Sequence, residues 1–459
     1  MSDSSDPSAA TMPVPAAAAG PVVGRTRTMS TPPTGLDVRT SQELATVTGR
    51  MWPSARDVTQ VDSDEIGFVL ELARGLHRYG TPAHRLEEAI EVVCRRLDLH
   101  VEVFSTPTTI IMSFGNPAEL RTRMMRVETG ELNMSKLAAV DELADAVVAQ
   151  KISAADGITR LAEIMGRAPQ YGAVPTVLAN GVSAGGLAVF FGGGWRDVIA
   201  AACIGILLGL VGLFVKATTD RARMFELLGA TIAAFAASAT ARLISPISAS
   251  LVTIASLIVL LPGMTLTVAM TELATKNLIS GTARLMSSLI VLLELVVGVA
   301  LGERLAAGLW RIPHLKPIAL GEYAQWIALA CSAVAVSIVA KARPRVIGWI
   351  AAACAVGYLG TRYGTRWLGP QLGVLIGAFA MGCLGNFYAR VLQRPAQVVL
   401  VPAVLLLVPG SLGFRGMNAM LARDTVSGVD TMFAMFISAT ALVGGLLLAN
   451  AVVSPRRVL

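Results

Sequence analysis

Long apolar segments separated by short polar loops fill the chain from about residue 172 to its end. A membrane-spanning helix needs about 20 mainly apolar residues. Ten segments approach that requirement: residues 172–191, 197–215, 225–244, 249–271, 284–303, 322–340, 346–361, 371–389, 396–419 and 430–453. The pattern therefore predicts a polytopic α-helical membrane protein with ten transmembrane helices.

The pattern before the first span is that of a small α+β domain, at residues 59–168. Apolar residues recur at helical spacing on both sides of an alternating, β-branched stretch at 101–113, and a later helix starts after Asn133, a good N-cap. Gly80 is expected to end the first helix, with Thr81 as N-cap and Pro82 as first residue of the next. Residues 1–58, rich in Ser, Thr, Ala and Pro, predict a disordered cytoplasmic tail.

Two apolar segments are interrupted by a Pro-Gly pair, and the two pairs are 147 positions apart. The matching positions are Pro262 with Pro409, Gly263 with Gly410, Ser280 with Ser427, and Gly298 with Gly445. The membrane part is therefore predicted as two five-helix repeats, 169–307 and 322–459, joined by a loop at 308–321. Because five is odd, consecutive repeats enter the membrane in opposite orientations, which is the inverted-repeat arrangement of many transporters.

Composition and charge agree with this class. Only 15% of the residues are charged, against about 25% in ordinary soluble domains. The loops on the side of the N-terminal domain contain twelve Lys and Arg residues and the opposite loops eight. Lys and Arg are enriched on the cytoplasmic side, so we expect a multi-pass plasma-membrane protein with both termini in the cytoplasm. The net charge of +7 is not clustered as nucleic-acid binding requires, so we expect no nucleic-acid partner.

The Pro-Gly pairs are the candidate substrate site. Pro262 removes a backbone donor and Gly263 relaxes the chain, and backbone groups freed in lipid need partners inside the protein or in a water-filled cavity. Such groups suit the ammonium and carboxylate of an amino acid. For a single break, an ordinary proline kink without a binding function is the alternative interpretation. Two breaks at matching positions favour a binding site.

Ionisable residues near the breaks are the candidate ion pathway. Glu272 follows the first break, Arg284 opens the next span, and Glu294 lies inside that span, where charges are rare and usually functional. Arg415 and Asn418 follow the second break. A buried carboxylate here could carry a coupling proton. The alternative for Glu272 and Arg284 is that they are interfacial side chains that reach towards the headgroups.

The N-terminal domain offers a second hypothesis, a membrane-anchored hydrolase or sensor. His77, His84, Glu87 and Glu88 are close in sequence, but no His-Glu-x-x-His motif is present, and exposed helix faces explain them as well. Five scattered cysteines and four histidines predict neither a metal site nor a disulfide framework. We expect no metal and no cofactor.

Several motifs taken together resemble the bacterial threonine/serine exporter family, over residues 66–453. They are Leu76 to Gly80, Asn133 to Leu137 with Val140 and Asp141, Gln170 to Gly172, Gly192 to Trp195, Leu260 to Gly263 with Glu272 and Arg284, and Pro409 and Gly410 with Arg415 to Met417. The resemblance implies export of threonine and serine driven by the proton gradient. From the two inverted halves we expect alternating access, with the substrate held at the Pro-Gly breaks and Glu272 and Arg284 as the charged pair. The expected partners are these amino acids, protons and the lipid bilayer; assembly into a homo-oligomer stays open.

Overall fold

The computed structural model describes residues 63–116, 120–128, 130, 132–215, 224–244, 246–310, 317–407 and 410–454. The predicted tail at 1–58 and the candidate site residue Pro409 lie outside these described residues. The remaining candidate site residues are all within them.

The described residues of the N-terminal domain form four helices and three strands, in agreement with the predicted α+β pattern. The helices and strands are α1 Ser63–Arg78, α2 Ala83–Arg96, β1 Val101–Ser105, β2 Thr109–Phe114, β3 Arg121–Arg126, α3 Met134–Val148 and α4 Ala154–Gly166. The strands form an antiparallel sheet in the order β1-β2-β3. Ile110, Met112 and Phe114 of β2 are buried while the residues between them are less so, because alternate side chains of a strand face opposite sides. The predicted N-cap Asn133 is confirmed: its Oδ1 accepts the Lys136 N–H at 3.0 Å.

Helices make up the described remainder of the chain. They are α5 Ala173–Phe190, α6 Trp195–Val215, α7 Phe225–Leu243, α8 Ala249–Ser256, α9 Gly263–Ala274, α10 Leu278–Leu309, α11 Glu322–Val339, α12 Ile347–Leu392, α13 Gln397–Leu407, α14 Gly410–Leu421 and α15 Thr425–Val452. A short 3₁₀ turn, Leu257–Val259, extends α8, and another, Pro344–Val346, precedes α12.

Among the described residues, seven helical segments are long and apolar enough to cross a membrane, with Gln397–Leu421 (α13 and α14) counted as one, or eight if α8 and α9 form one bent span. That count does not establish ten spans, for two reasons. The helix α7 carries Glu226 and Arg242 near its ends and is less apolar than the others. The helix α12 covers two predicted spans, although Gly369, at φ +81°, and Pro370 place a kink between them.

Close helix contacts in the two halves resemble each other. α7 packs on α10, and α12 packs on α15. A Cβ at Gly298 of α10 would lie 2.8 Å from Ala230 Cβ of α7, and one at Gly445 of α15 would lie 2.9 Å from Ala378 Cβ of α12. Small residues allow this approach, which is a source of stability between helices in lipid.

The N-terminal domain packs on the ends of the membrane helices. The Met134 and Ser135 N–H groups donate to the Ala340 and Lys341 carbonyls at 3.0 and 3.2 Å. The first N–H groups of a helix have no partner within that helix. At the start of α3 they donate to the carbonyls of the residues just after α11. The Tyr171 hydroxyl donates to the Ala342 carbonyl at 3.0 Å. Glu142 of α3 pairs with Arg343 and Arg394, which follow α11 and α12. We refer to the side of the bundle that makes these contacts as the domain-facing side.

Candidate functional site

The glycines of the two Pro-Gly pairs, Gly263 and Gly410, meet inside the bundle. α9 begins at Gly263, directly after Pro262, and the α8 segment and α9 are bent by 63°. α14 begins at Gly410. A Cβ at Gly410 would lie 3.2 Å from Gly263 Cα, so the two backbones are in van der Waals contact. Residues 147 positions apart are therefore neighbours in space.

A cavity of about 490 Å³ lies at this meeting point, lined by Pro262, Gly263 and Gly410 together with residues of α5, α11 and α12. Sites for drug-sized ligands occupy about 300–1,000 Å³ and are mainly apolar with a few polar groups. Both conditions are met. The cavity provides the space between the two breaks that the sequence hypothesis requires.

Three residues of the cavity lining carry buried hydroxyl groups without a hydrogen-bond partner among the described residues: Ser183 of α5, Ser332 of α11 and Thr361 of α12. An unsatisfied buried polar group costs about 1–3 kcal/mol, which a polar ligand would recover. Sequence reasoning missed all three. The available signal was weak: Ser183 lies between Gly181 and Gly185, a spacing that is typical of close helix packing.

One wall of the cavity ends in a polar network. Tyr358 and Gln325 line the cavity, and the Tyr358 hydroxyl donates to Gln325 Oε1 at 2.8 Å. Arg362 donates to the same oxygen at 3.4 Å and to Glu322 Oε1 at 2.6 Å. Glu322 is 76% exposed, so this network connects the cavity to the surface at the start of α11, the end farther from the N-terminal domain.

Glu272 and Arg284 are paired, as expected, but neither belongs to the described lining of the cavity. The Arg284 Nε lies 3.2 Å from Glu272 Oε1 and 3.1 Å from Oε2. Glu272 is 0% exposed and the Arg284 side chain 12%. The pair is thus buried and is not a pair of headgroup-seeking side chains. It lies at the contact between the membrane helices and the N-terminal domain.

Glu272 also caps a helix of the N-terminal domain. Its Oε1 accepts the Ala83 N–H at 3.0 Å, at the first residue of α2. The prediction that Thr81 caps α2 and that Pro82 is its first residue is wrong: Pro82 is the N-cap and makes no side-chain cap bond. A carboxylate at a helix N-terminus satisfies free N–H groups and interacts favourably with the dipole. Glu272 therefore supplies from the membrane part the cap that the local sequence lacks.

Further bonds surround this contact. Asn277 Nδ2 donates to Glu87 Oε2 at 3.2 Å, and the Ser280 hydroxyl donates to the Ser105 carbonyl at 2.7 Å. The Ser105 N–H donates to Glu87 Oε1 at 2.8 Å. Burial raises the pKa of Glu87, against these two donors, which lower it. Burial lowers the pKa of His77, the Thr106 carbonyl at 3.1 Å from Nε2 raises it, and the nearby Arg284 charge lowers it.

The other candidate residues are separate from this pair. The Arg415 guanidinium stacks on the Phe191 ring, 4.2 Å from its centroid, and Phe191 lines the cavity. Asn418 is half-buried in α14 and Glu294 half-buried in α10, both outside the described lining. Across the part of the chain that the structure describes, no group of three or more His, Cys, Asp or Glu residues is arranged to hold a metal ion.

Apolar spans around a cavity formed by broken helices define a multi-pass membrane protein of the transporter type. The chain belongs to the threonine/serine exporter family. A family model described as "Putative threonine/serine exporter" matches residues 67–306, and one described as "Threonine/Serine exporter, ThrE" matches residues 325–452. The two matches divide near the predicted joint between the repeats.

The similar curated proteins are fungal. An uncharacterized protein of Schizosaccharomyces pombe is 26% identical over 80% of this chain and 46% of its own length. The pheromone-regulated membrane protein 10 of Eremothecium gossypii is 27% identical over 80% of this chain and 52% of its own length, and that of Pichia sorbitophila 26% identical over 75% and 36%. The chain thus spans about a third to a half of these relatives' length. No solved structure matches.

Proposed function

We propose that this protein is a secondary active exporter of threonine and serine, driven by the proton gradient and working by alternating access. The observation that carries this proposal is that Gly263 and Gly410 of the two Pro-Gly pairs meet at one cavity, whose lining residues include three with unpaired hydroxyl groups. Discontinuous helices at a repeat interface are the usual site of substrate binding in secondary transporters.

The groups at the cavity suit a small hydroxy amino acid. α9 begins at Gly263, so its N-terminus adjoins the cavity. Helix N-termini carry positive partial charge and free N–H groups, and they bind carboxylates. The hydroxyl groups of Ser183, Ser332 and Thr361 can accept hydrogen bonds from an ammonium group and exchange them with a substrate hydroxyl.

The halves support an inverted repeat. Loops that follow α11 and α12 contact the N-terminal domain, and so does Glu272 near the end of α9. With Tyr171 before α5 also on this side, α5 leaves the domain-facing side, whereas α11 ends at it. The loops there carry Lys341, Arg343 and Arg394, which favours a cytoplasmic location for this side and for the N-terminal domain.

Glu272 is our candidate for the coupling proton site. Protonation would remove its charge and weaken its bonds to Arg284 and to the Ala83 N–H. Proton binding would thereby be linked to the contact between the N-terminal domain and the bundle. Glu272→Gln is expected to reduce the dependence of efflux on the pH gradient; an unchanged dependence would remove Glu272 from the mechanism.

The test of the proposal is flux in proteoliposomes that hold the full-length protein, with a panel of amino acids, with and without a pH gradient. We expect threonine and serine to be transported and the gradient to accelerate the flux. Ser332→Ala is expected to raise the KM for threonine by about fivefold to tenfold, the loss of one hydrogen bond. Ser337→Ala is the matched control on α11, because the Ser337 hydroxyl is satisfied by the Ala333 carbonyl at 2.7 Å.

A lack of threonine and serine flux in a reconstituted, folded protein would refute the proposal. So would equal effects of the two serine variants, because the cavity hydroxyl would then have no special role. Activity of the isolated N-terminal domain on esters or peptides, without any flux by the whole chain, would favour the hydrolase hypothesis instead.

A further inference from the structure

A second, smaller cavity of about 130 Å³ lies between the N-terminal domain and the membrane helices. Its polar or charged lining residues are His84 and Arg85 of α2, Thr267 and Thr271 of α9, Asn386 of α12, Gln397 of α13 and Asn450 of α15. It is smaller than the roughly 300–1,000 Å³ of sites for drug-sized ligands. The size suits a ligand of few atoms, such as a small amino acid.

Met264 lines both cavities. It is the second residue of α9, next to the Gly263 of the break. A methionine side chain is unbranched and flexible, so it can change rotamer without a backbone movement. The second cavity therefore lies on a route from the domain-facing side to the cavity at the breaks, with a movable side chain between the two.

Asn386 gives the second cavity a fixed acceptor. It is 1% exposed, and its Nδ2 donates to Asn450 Oδ1 at 2.8 Å and to the Val453 carbonyl at 2.7 Å. Because both of these partners accept hydrogen bonds, the atom of the Asn386 side-chain amide that faces them is the nitrogen. The Oδ1 of this lining residue has no partner among the described residues. A buried carbonyl oxygen of this kind suits an ammonium group.

Arg85 gives the cavity a cation. Its side chain is 27% exposed and pairs with Glu88 at 3.3 Å, a surface pair that contributes little and can exchange partners. Its neighbour His84 is neutral at physiological pH, since burial and the Arg85 charge hold its pKa at about 4. An amino acid entering the cavity would therefore meet one cation from the N-terminal domain for its carboxylate and one acceptor from the membrane part for its ammonium group.

We propose that the second cavity is an entry site where a zwitterionic small amino acid binds between Arg85 and Asn386 before Met264 admits it to the cavity at the breaks. The proposal rests on the transport function proposed above. It assigns the N-terminal domain a direct part in substrate recognition, because Arg85 holds the carboxylate and Asn386 Oδ1 accepts from the ammonium group.

The first test compares two arginines in full-length protein with the domain-facing side exposed to substrate. Arg85→Gln is expected to raise the KM for threonine about tenfold with kcat unchanged, since one charge-assisted hydrogen bond is lost. Arg74→Gln is the matched control, because Arg74 also pairs with a glutamate three residues away on a helix but lies outside this cavity. Equal KM values for the two variants would overturn the entry site.

The second test detects occupancy directly. Thr271→Cys replaces a half-buried lining residue by one of similar size in a background where Cys203, Cys331 and Cys383 are alanine; Cys94 and Cys354 are buried. Threonine is expected to slow the reaction of this thiol with a maleimide at least threefold, and Arg85→Gln to abolish the protection. Threonine flux without protection would overturn the entry site and leave the transport proposal standing. Absence of flux in the wild-type protein would instead overturn both.

Discussion

The turn between α9 and α10 and the turn between α14 and α15 have the same backbone but different roles. Lys276 and Arg423, 147 positions apart, both adopt φ +67°. The Asn277 N–H donates to the Glu272 carbonyl at 2.8 Å, and the Asp424 N–H donates to the Ala419 carbonyl at 3.0 Å. The offset of 147 positions found in the sequence thus corresponds to two turns with the same backbone hydrogen bond.

The side chains of the two turns differ. Ala419 and Thr431 occupy the positions that correspond to Glu272 and Arg284. Asp424 caps its own helix by accepting the Ser427 N–H at 3.3 Å, whereas Asn277 makes no cap bond and donates to Glu87 of the N-terminal domain. One copy of the turn stabilises itself, and the other has become a docking site. The two turns therefore share a backbone conformation and differ in function because of the side chains at a few positions.

The largest effect is expected when the first turn loses its buried carboxylate. Glu272→Ala leaves Arg284 buried without a partner and the start of α2 without its cap. Removing one member of a buried ion pair costs about 3–5 kcal/mol. We expect a marked fall in the unfolding temperature in detergent and faster hydrogen exchange at the start of α2.

The double variant Glu272→Ala with Arg284→Thr gives the first turn the side chains of the second. It removes the unpaired charge, so it is expected to be more stable than Glu272→Ala alone. Glu142→Ala is the control, because that glutamate is 40% exposed and exposed pairs contribute about 0–1 kcal/mol. A double variant no more stable than the single one would show that the buried charge is not the cause.

A second prediction tests the repeated backbone itself. A Cβ at Gly281 would lie 2.7 Å from Leu273 Cγ, and one at Gly428 would lie 3.0 Å from the Met420 nitrogen. Overpacking costs about 1–3 kcal/mol, so Gly281→Ala and Gly428→Ala should destabilise the protein by similar amounts in thermal unfolding.

Gly308 provides the control for these variants. It lies in α10, and a Cβ there would meet nothing within 4 Å. Because Gly within a helix is less favourable than Ala by roughly 0.5–1 kcal/mol, Gly308→Ala should leave stability unchanged or increase it slightly. Opposite signs for Gly281→Ala and Gly428→Ala would contradict the equivalence of the two turns.

The repeated turn could be predicted from the sequence because its requirements are local. The Pro-Gly pair indicates where the helix is interrupted, and the Ser-Gly pair indicates where one helix approaches another closely. Both pairs recur at the same offset of 147 positions. The helix and strand patterns of the N-terminal domain are local in the same sense. The residues that form each of these features are near each other in the chain.

The docking contact and the cavity hydroxyls could not be predicted in this way. Glu272 reaches Ala83 across 189 positions of sequence, and no periodicity indicates which buried carboxylate caps which helix. Ser183, Ser332 and Thr361 lie on three helices whose relative rotation decides that they share a cavity. The sequence hypothesis therefore found Glu272 and Arg284 as a pair but not their place at the domain contact.

A third prediction tests the different roles of Asp424 and Asn277, the residues directly before α15 and α10. Asp424→Ala removes an N-cap and should cost about 1 kcal/mol, with faster hydrogen exchange confined to the first turn of α15. Asn277→Ala should leave the first turn of α10 unchanged and increase exchange around Ser105 and Glu87, where its amide donates. Increased exchange at the first turn of both helices would contradict the division of roles.

The smallest effect is a pH dependence that only the first turn should show. Burial raises the pKa of Glu87 from its ordinary value of 4.5, and Glu91 and Glu272 add repulsion, while the Ser105 N–H and Asn277 oppose the rise. The docked protein then binds this proton more tightly than the unfolded chain. The contribution of Glu87 to stability is therefore fully present below pH 4.5 and is lost as the pH rises through the raised pKa. The effect is small, since Glu87 is half-buried and partly screened.

Glu87→Gln is expected to flatten the dependence of the unfolding temperature on pH in this window, because an amide oxygen can still accept the Ser105 N–H but does not titrate. Glu88→Gln, at the exposed neighbour that pairs with Arg85, should keep the wild-type slope. Asn277→Asp should steepen it, since a second carboxylate raises the pKa of Glu87 further. A wild-type slope in Glu87→Gln would show that the docking contact does not sense pH through this residue.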